Sequence, residues 1–168
     1  MTLSMSQASV PVFIQGLTGL AGVLDKAAAH VEARKLDPAA LLQARLYPDM
    51  FPFTRQVQIA ADFAKGACAR LAGAEFPTYE DTEASFEELK ARVEKTIAFL
   101  RTLPAAAIDG SEDRDIPLVR RGETTLHKGQ AYLLAQAMPN FYFHLTTAYA
   151  ILRHNGVELG KRDFLGPA

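Results

Sequence analysis

Apolar residues recur at spacings of three and four in four stretches of the chain, the spacing of amphipathic helices. The first stretch carries Val12, Phe13, Leu17, Leu20, Val23, Leu24, Ala27 and Val31. It predicts a helix that opens around Ser9 and Pro11, a cap followed by proline in the first turn, and ends near Arg34. Gly16, Gly19 and Gly22 interrupt it every three residues. Each glycine costs about 1 kcal/mol relative to alanine in a helix interior. Their regular spacing therefore predicts one smooth strip against which another helix packs closely.

Asp37-Pro38 starts a short helical turn through Leu42, and Leu46-Tyr47-Pro48-Asp49 ends that pattern. The second long helix is predicted over 51–71, with Phe53, Val57, Ala60, Ala61, Ala64, Ala67, Cys68 and Leu71 inward and Gly73 as its stop. A third opens at 82–85, buries Phe86, Leu89, Val93, Ile97 and Leu100, and ends at Pro104. Its remaining faces, with Glu87, Glu88, Lys90, Arg92, Glu94 and Lys95, read as solvated. The stretch 105–136 is irregular. Asp109-Gly110 marks a turn, and short apolar runs flank Arg121-Gly122-Glu123, which suits a hairpin or an ordered crossover. Pro139-Asn140 introduces the last helix, whose stripe is Phe141, Leu145, Ala148, Ile151 and Leu152, closed by Asn155-Gly156. The tail, 157–168, has no periodicity. The expected architecture is all-α: a four-helix bundle forming a single domain over 1–168.

Composition narrows the function classes. Eighteen basic and 19 acidic residues give a formal net charge of -1, and no basic run of motif length appears, so no nucleic-acid partner is expected. No apolar run reaches the ~18 residues of a membrane span, and no membrane partner is expected. The one cysteine, Cys68, forms no intrachain disulfide and lies on an apolar stripe; a cytoplasmic location is expected.

Candidate chemistry is sparse. Phosphate loops, Cys-x-x-Cys, Gly-x-Ser-x-Gly and His-Glu-x-x-His are all missing. Of His30, His127, His144 and His154, only His144 lies near a core stripe. Two metal ligands on one helix face need a spacing of three or four, but Ala148 stands one turn after His144. On the second helix Arg55, Gln58 and Asp62 share a face, read as solvated, with Asp62 able to pair with a base. Asp49 reads as an N-cap and the polar run 153–163 as a helix end whose cations offset exposed carbonyls.

Pro139-Asn140-Phe141-Tyr142-Phe143-His144, then Thr146-Thr147-Ala148-Tyr149-Ala150-Ile151-Leu152-Arg153-His154-Asn155-Gly156, resembles a bacterial family known as domain of unknown function 1993. Gly160-Lys161-Arg162-Asp163-Phe164-Leu165-Gly166 resembles its C-terminal signature, and Met50-Phe51-Pro52-Phe53 with Gln56-Val57-Gln58 its second-helix signature. The resemblance covers about 10–166. It implies the DinB/YfiT-like superfamily, an up-down-down-up bundle with a long crossover in which a short hairpin fits. Superfamily members hold a divalent metal with three histidines, one from the second helix and two, four residues apart, from the last. Some are thiol-dependent transferases or isomerases.

This chain departs from that pattern. Ala148 replaces the second histidine of the last helix, and the second helix has none; Gln56 or Gln58 stands in that neighbourhood. The metal site is therefore expected to be degenerate, with no metal and no cofactor. The expected protein is a small-molecule-binding or interaction protein with pocket candidates His144, Gln58, Asp62 and Gln56. The alternative is a metal- or thiol-dependent transferase or isomerase with a site rebuilt around His144. A homodimer is expected from the resemblance and from Phe141, Tyr142, Phe143 and Tyr149, which encircle the last helix.

Overall fold

The structure, a computed structural model, describes residues 2–167. Its long elements are α1 (Met5–Arg34), α3 (Phe53–Ala72), α4 (Phe86–Thr102) and α7 (Met138–His154). Shorter helices are α2 (Pro38–Leu42), α5 (Ala105–Ile108), α6 (Gly129–Tyr132) and α8 (Lys161–Leu165); β1 (Asp115–Arg120) and β2 (Glu123–Lys128) form a hairpin.

Helix α1 starts earlier than the Ser9-Pro11 signal implies. Ser4 is the cap: its hydroxyl accepts from the Gln7 amide while the Gln7 side chain accepts from the Ser4 amide, a reciprocal pair that satisfies two end donors. Pro11 lies inside the helix, and Ser9 is buried with its hydroxyl donating to the Met5 carbonyl at 2.7 Å. By length and composition α1 is apolar enough to cross a membrane, which corrects the expectation that no stretch reaches that length. Its apolar stripe, Phe13, Leu17, Leu20, Val23, Leu24 and Ala27, lies in the core of the bundle.

Contacts fix the helix directions. Phe13 meets Phe141 edge to face at 5.0 Å, so the starts of α1 and α7 adjoin. Phe53 and Phe86 rings lie 6.0 Å apart, so the starts of α3 and α4 adjoin and these two helices run parallel. The Leu71 side chain approaches Gly129, which sets the end of α3 beside the start of the segment leading into α7. Lys90, near the start of α4, binds Asp25, near the end of α1, at 2.8 Å. The order is up-down-down-up.

Parallel neighbours need a lengthwise return. An α3 of 20 residues is roughly 30 Å long. Residues 73–85, about a dozen, can span that when extended, at up to ~3.3–3.6 Å each. They lie back along α3: Phe76 sits under Arg70, Tyr79 over Lys65, and Asp81 and Glu83 by Arg55 and Gln58. The hairpin stands in the later connector, between α4 and α7. Its turn places Arg121 at φ 51 and Gly122 at φ 82, two successive left-handed residues, as two-residue hairpin loops require. Ile116 faces the core at 1% exposure, while Val119 and Leu126 on the other face are exposed.

Gly129–Tyr132, a π turn at Leu133–Ala137 and α7 follow one another without a break, so the helical path into α7 begins before Pro139. The tail is not irregular throughout: α8 docks on α1. A Cβ on Gly19 would stand 2.5 Å from the Phe164 carbonyl oxygen, and one on Gly16 2.7 Å from the Phe141 ring. The glycine strip thus serves two neighbours, α7 and the tail. Gly22 belongs to neither, with nothing within 4 Å of its Cβ position, so the close-packing expectation fails there. Asp163 caps α8 by accepting from the Gly160 amide at 2.8 Å and binds Lys26 at 2.7 Å. Asp49 caps nothing; Pro52 precedes α3.

Candidate functional site

Helix α3 presents two polar faces. Successive helix residues turn by about 100°, so Gln56 and Gln58 point in different directions, whereas Gln58, Asp62 and Lys65, spaced four and three, share one. Gln56 faces α7 and the other three face α4. The four pocket candidates are therefore not one constellation.

At the α7 face, His144 Nδ1 lies 2.7 Å from Gln56 Oε1. The Gln56 amide nitrogen donates to the Phe51 carbonyl at 3.1 Å, which turns its oxygen toward the imidazole. An amide oxygen only accepts, so Nδ1 carries the proton and Nε2 keeps its lone pair. Among the described residues, no protein group bonds Nε2. Phe63 stacks on the imidazole with centroids 5.9 Å apart, and Phe143 meets it edge-on at 5.2 Å. Burial, joined by the positive charge of Arg55, holds His144 below the ordinary 6.5, so the ring is neutral near pH 7. Ala148, one turn further, is buried and brings no donor.

At the α4 face, Arg92 is the hub. Its side chain is 2% exposed and its guanidinium reaches Asp62 at 3.0 Å, Asp81 at 3.0 Å and Glu83 at 2.9 Å. It also donates to the Glu80 carbonyl at 3.1 Å. Asp62 binds Lys65, 3% exposed, at 3.1 Å. Gln58 donates to Glu83 at 2.8 Å, and Arg55 pairs with Asp81 and donates to Gln58 at 3.2 Å. Burial alone would raise Glu83, but bonds from Arg92 and Gln58 outweigh it and hold the carboxyl below its ordinary 4.5. A solvated face was expected here, for α3 and for Arg92 alike, and the structure corrects both. The signal was present: Arg92 follows Leu89 by three and precedes Thr96 by four, inside the buried stripe of α4. Nothing in the sequence pairs Tyr79, Asp81 and Glu83 with this seam, because they come from the return strand.

Cys68, expected in the core, is fully buried. Burial pushes its thiol up to about 12, and a hydrogen bond with Ser9 offsets this only in part. A thiol so protonated is no nucleophile at neutral pH. His30 lies in the last turns of α1 and His154 ends α7, and His127 contacts Thr125 on the hairpin.

An up-down-down-up bundle with a histidine of the last helix facing the second is a DinB-type bundle. The chain belongs to the family described as Domain of unknown function (DUF1993), whose model matches residues 5–165. A crystal structure of a DinB family member protein from Shewanella denitrificans is similar at 38% identity and a TM-score of 0.89, over 97% of this chain and 92% of that one. No curated protein matches.

DinB-type bundles imply a divalent metal, so the donor set at the α7 face bears on it. It consists of one imidazole and one carboxamide. Among the described residues no group of three His, Cys, Asp or Glu is placed to hold a metal ion. A zinc site takes about three protein ligands. The residues present do not fit a resident metal.

Proposed function

We propose that this DUF1993 protein is a binding or interaction protein in which the DinB metal corner has become a hydrogen-bonded anchor. The observation that carries this reading is the 2.7 Å contact between His144 Nδ1 and Gln56 Oε1, with Ala148 at the next turn. The carboxamide holds the imidazole in one tautomer, and its exposed neighbour Phe143 gives a ligand an apolar wall. A small molecule with a hydrogen-bond donor beside an aromatic or aliphatic group suits that corner. The test is elemental analysis of untagged protein after dialysis against zinc and nickel. Substoichiometric metal is expected; about one metal per chain, lost on His144→Ala, overturns the reading.

A second reading has one observation behind it: a neutral His144 with a free Nε2 suits a general base in a transferase or isomerase. It makes the same histidine catalytic without a metal. Self-association belongs to the proposal too. Phe141 and Tyr149 are covered within the chain, the latter by Phe164 at 5.7 Å, but Tyr142 and Phe143 are 38% and 57% exposed. A homodimer that covers them is expected by light scattering. A monomeric mass that persists as concentration rises rules it out.

A further inference from the structure

The return strand over α3 and α4 is held by an unusual set of bonds. Between Ala74 and Ser85 no backbone amide or carbonyl joins a backbone partner among the described residues. Its hold is ionic and aromatic. Asp81 and Glu83 are gripped by Arg92, Arg55 and Gln58, and the Glu80 carbonyl by Arg92. The Tyr79 ring lies under three cations, with Lys65 Nζ 3.6 Å and Lys95 Nζ 4.3 Å from its centroid and the Arg92 guanidinium carbon at 5.4 Å. A cation over an aromatic face and a carboxylate on a guanidinium are contacts that one peptide can exchange for another of like pattern.

The cations belong to the bundle, and the carboxylates that answer them belong largely to the strand. Arg55, Lys65, Arg92 and Lys95 lie on α3 and α4, where Asp62 is the one α3 acid that answers Arg92 and Lys65. Lifting the strand leaves an excess of positive charge on the seam. The Arg92 Nε is buried and has no hydrogen-bond partner among the described residues even with the strand in place, so the seam has donor capacity the strand does not fill.

We propose that 79–83 is a displaceable latch, and that the α3–α4 seam beneath it is a recognition surface for an acidic peptide of a partner protein that repeats the latch pattern of tyrosine, acid and acid at alternate positions. The latch competes with that peptide, so the intact chain binds it weakly. This surface is separate from the His144 corner and stands whether or not that corner binds a ligand.

The probe is a fluorescein-labelled synthetic peptide of residues 77–85, with a control in which its acids are amides. The receptors are the full chain and its Asp81→Asn/Glu83→Gln variant. The variant should bind the peptide saturably, at least about tenfold more tightly than the unaltered chain, because the closed latch keeps the competent state rare. Binding should weaken with added salt. Failure of the variant to bind, or equal binding of the control peptide, overturns the proposal. Nitration of tyrosines, read by mass spectrometry, is the second measurement and needs no variant. Tyr79 should react more slowly than Tyr47, which is 66% exposed, and saturating peptide should speed Tyr79 at least about twofold as it displaces the latch. No acceleration overturns the proposal even where the variant does not fold.

Discussion

The two faces of α3 make opposite use of polar side chains. Toward α7, one glutamine and one histidine meet in a corner that is otherwise aromatic and aliphatic, with Ala60 and Ala148 buried nearby. Toward α4, two cations and three carboxylates interlock around a buried arginine. The face toward α7 carries few charged groups, and the face toward α4 holds the return strand that an up-down-down-up bundle requires. On this helix the charged groups gather where the connector has to be held, not where two helices pack directly.

The largest expected effect is on the charged face. Arg92→Met leaves Asp62, Asp81 and Glu83 facing one another without their common partner; loss of a buried ion's partner costs about 3–5 kcal/mol, an upper bound here because Asp62 and Asp81 are 40% exposed. Urea denaturation measures it; a loss below about 1 kcal/mol would mean that water screens the network, as it does surface pairs.

The α7 face can be sharpened by rebuilding it. Gln56→His together with Ala148→His restores the three-histidine pattern that the resemblance implies. Zinc at a hundredfold excess over its dissociation constant should then stabilise the variant by about 2.7 kcal/mol and leave the unaltered chain's melting temperature unmoved. No shift in the variant would mean that Gln56 and Ala148 are not the lost ligand positions.

A smaller effect is expected for the existing anchor. A double-mutant cycle with Gln56→Leu and His144→Phe should give a coupling of about 0.5–1.5 kcal/mol, the range for one net hydrogen bond. Zero coupling would reduce the corner to packing.

The acid response separates the faces by pH. His144 and Glu83 both have folded-state values below their ordinary ones, so each contributes stability that is present at higher pH and lost as pH falls. The loss tied to His144 begins below about pH 6.5 and should vanish in His144→Phe; that tied to Glu83 begins below about pH 4.5 and should vanish in Glu83→Gln. A single transition unaffected by either change would contradict both assignments.

Periodicity alone located the four long helices and their inward stripes, because a 3.6-residue repeat records which side is apolar whatever packs there. Phe141, Leu145, Ala148, Ile151 and Leu152 are all buried as that repeat requires, and Arg121-Gly122 makes its turn through backbone conformations that the residue types favour. Where a helix begins was less legible. Ser9-Pro11 and Ser4 are both acceptable starts locally, and the reciprocal Ser4–Gln7 bonds favour the earlier one.

The sequence by itself determined that Gln56, Gln58 and Asp62 lie on the second long helix and that His144 lies near the apolar stripe of the last. Only the tertiary structure decided that Gln56 meets His144 while Gln58 and Asp62 join Arg92. Two glutamines two residues apart point about 200° apart on a helix, and nothing local says which direction holds α7 and which holds α4. That choice follows from the parallel course of α3 and α4. It draws the return strand across their seam, and with it the carboxylates that turn Arg92 from a surface residue into a buried one.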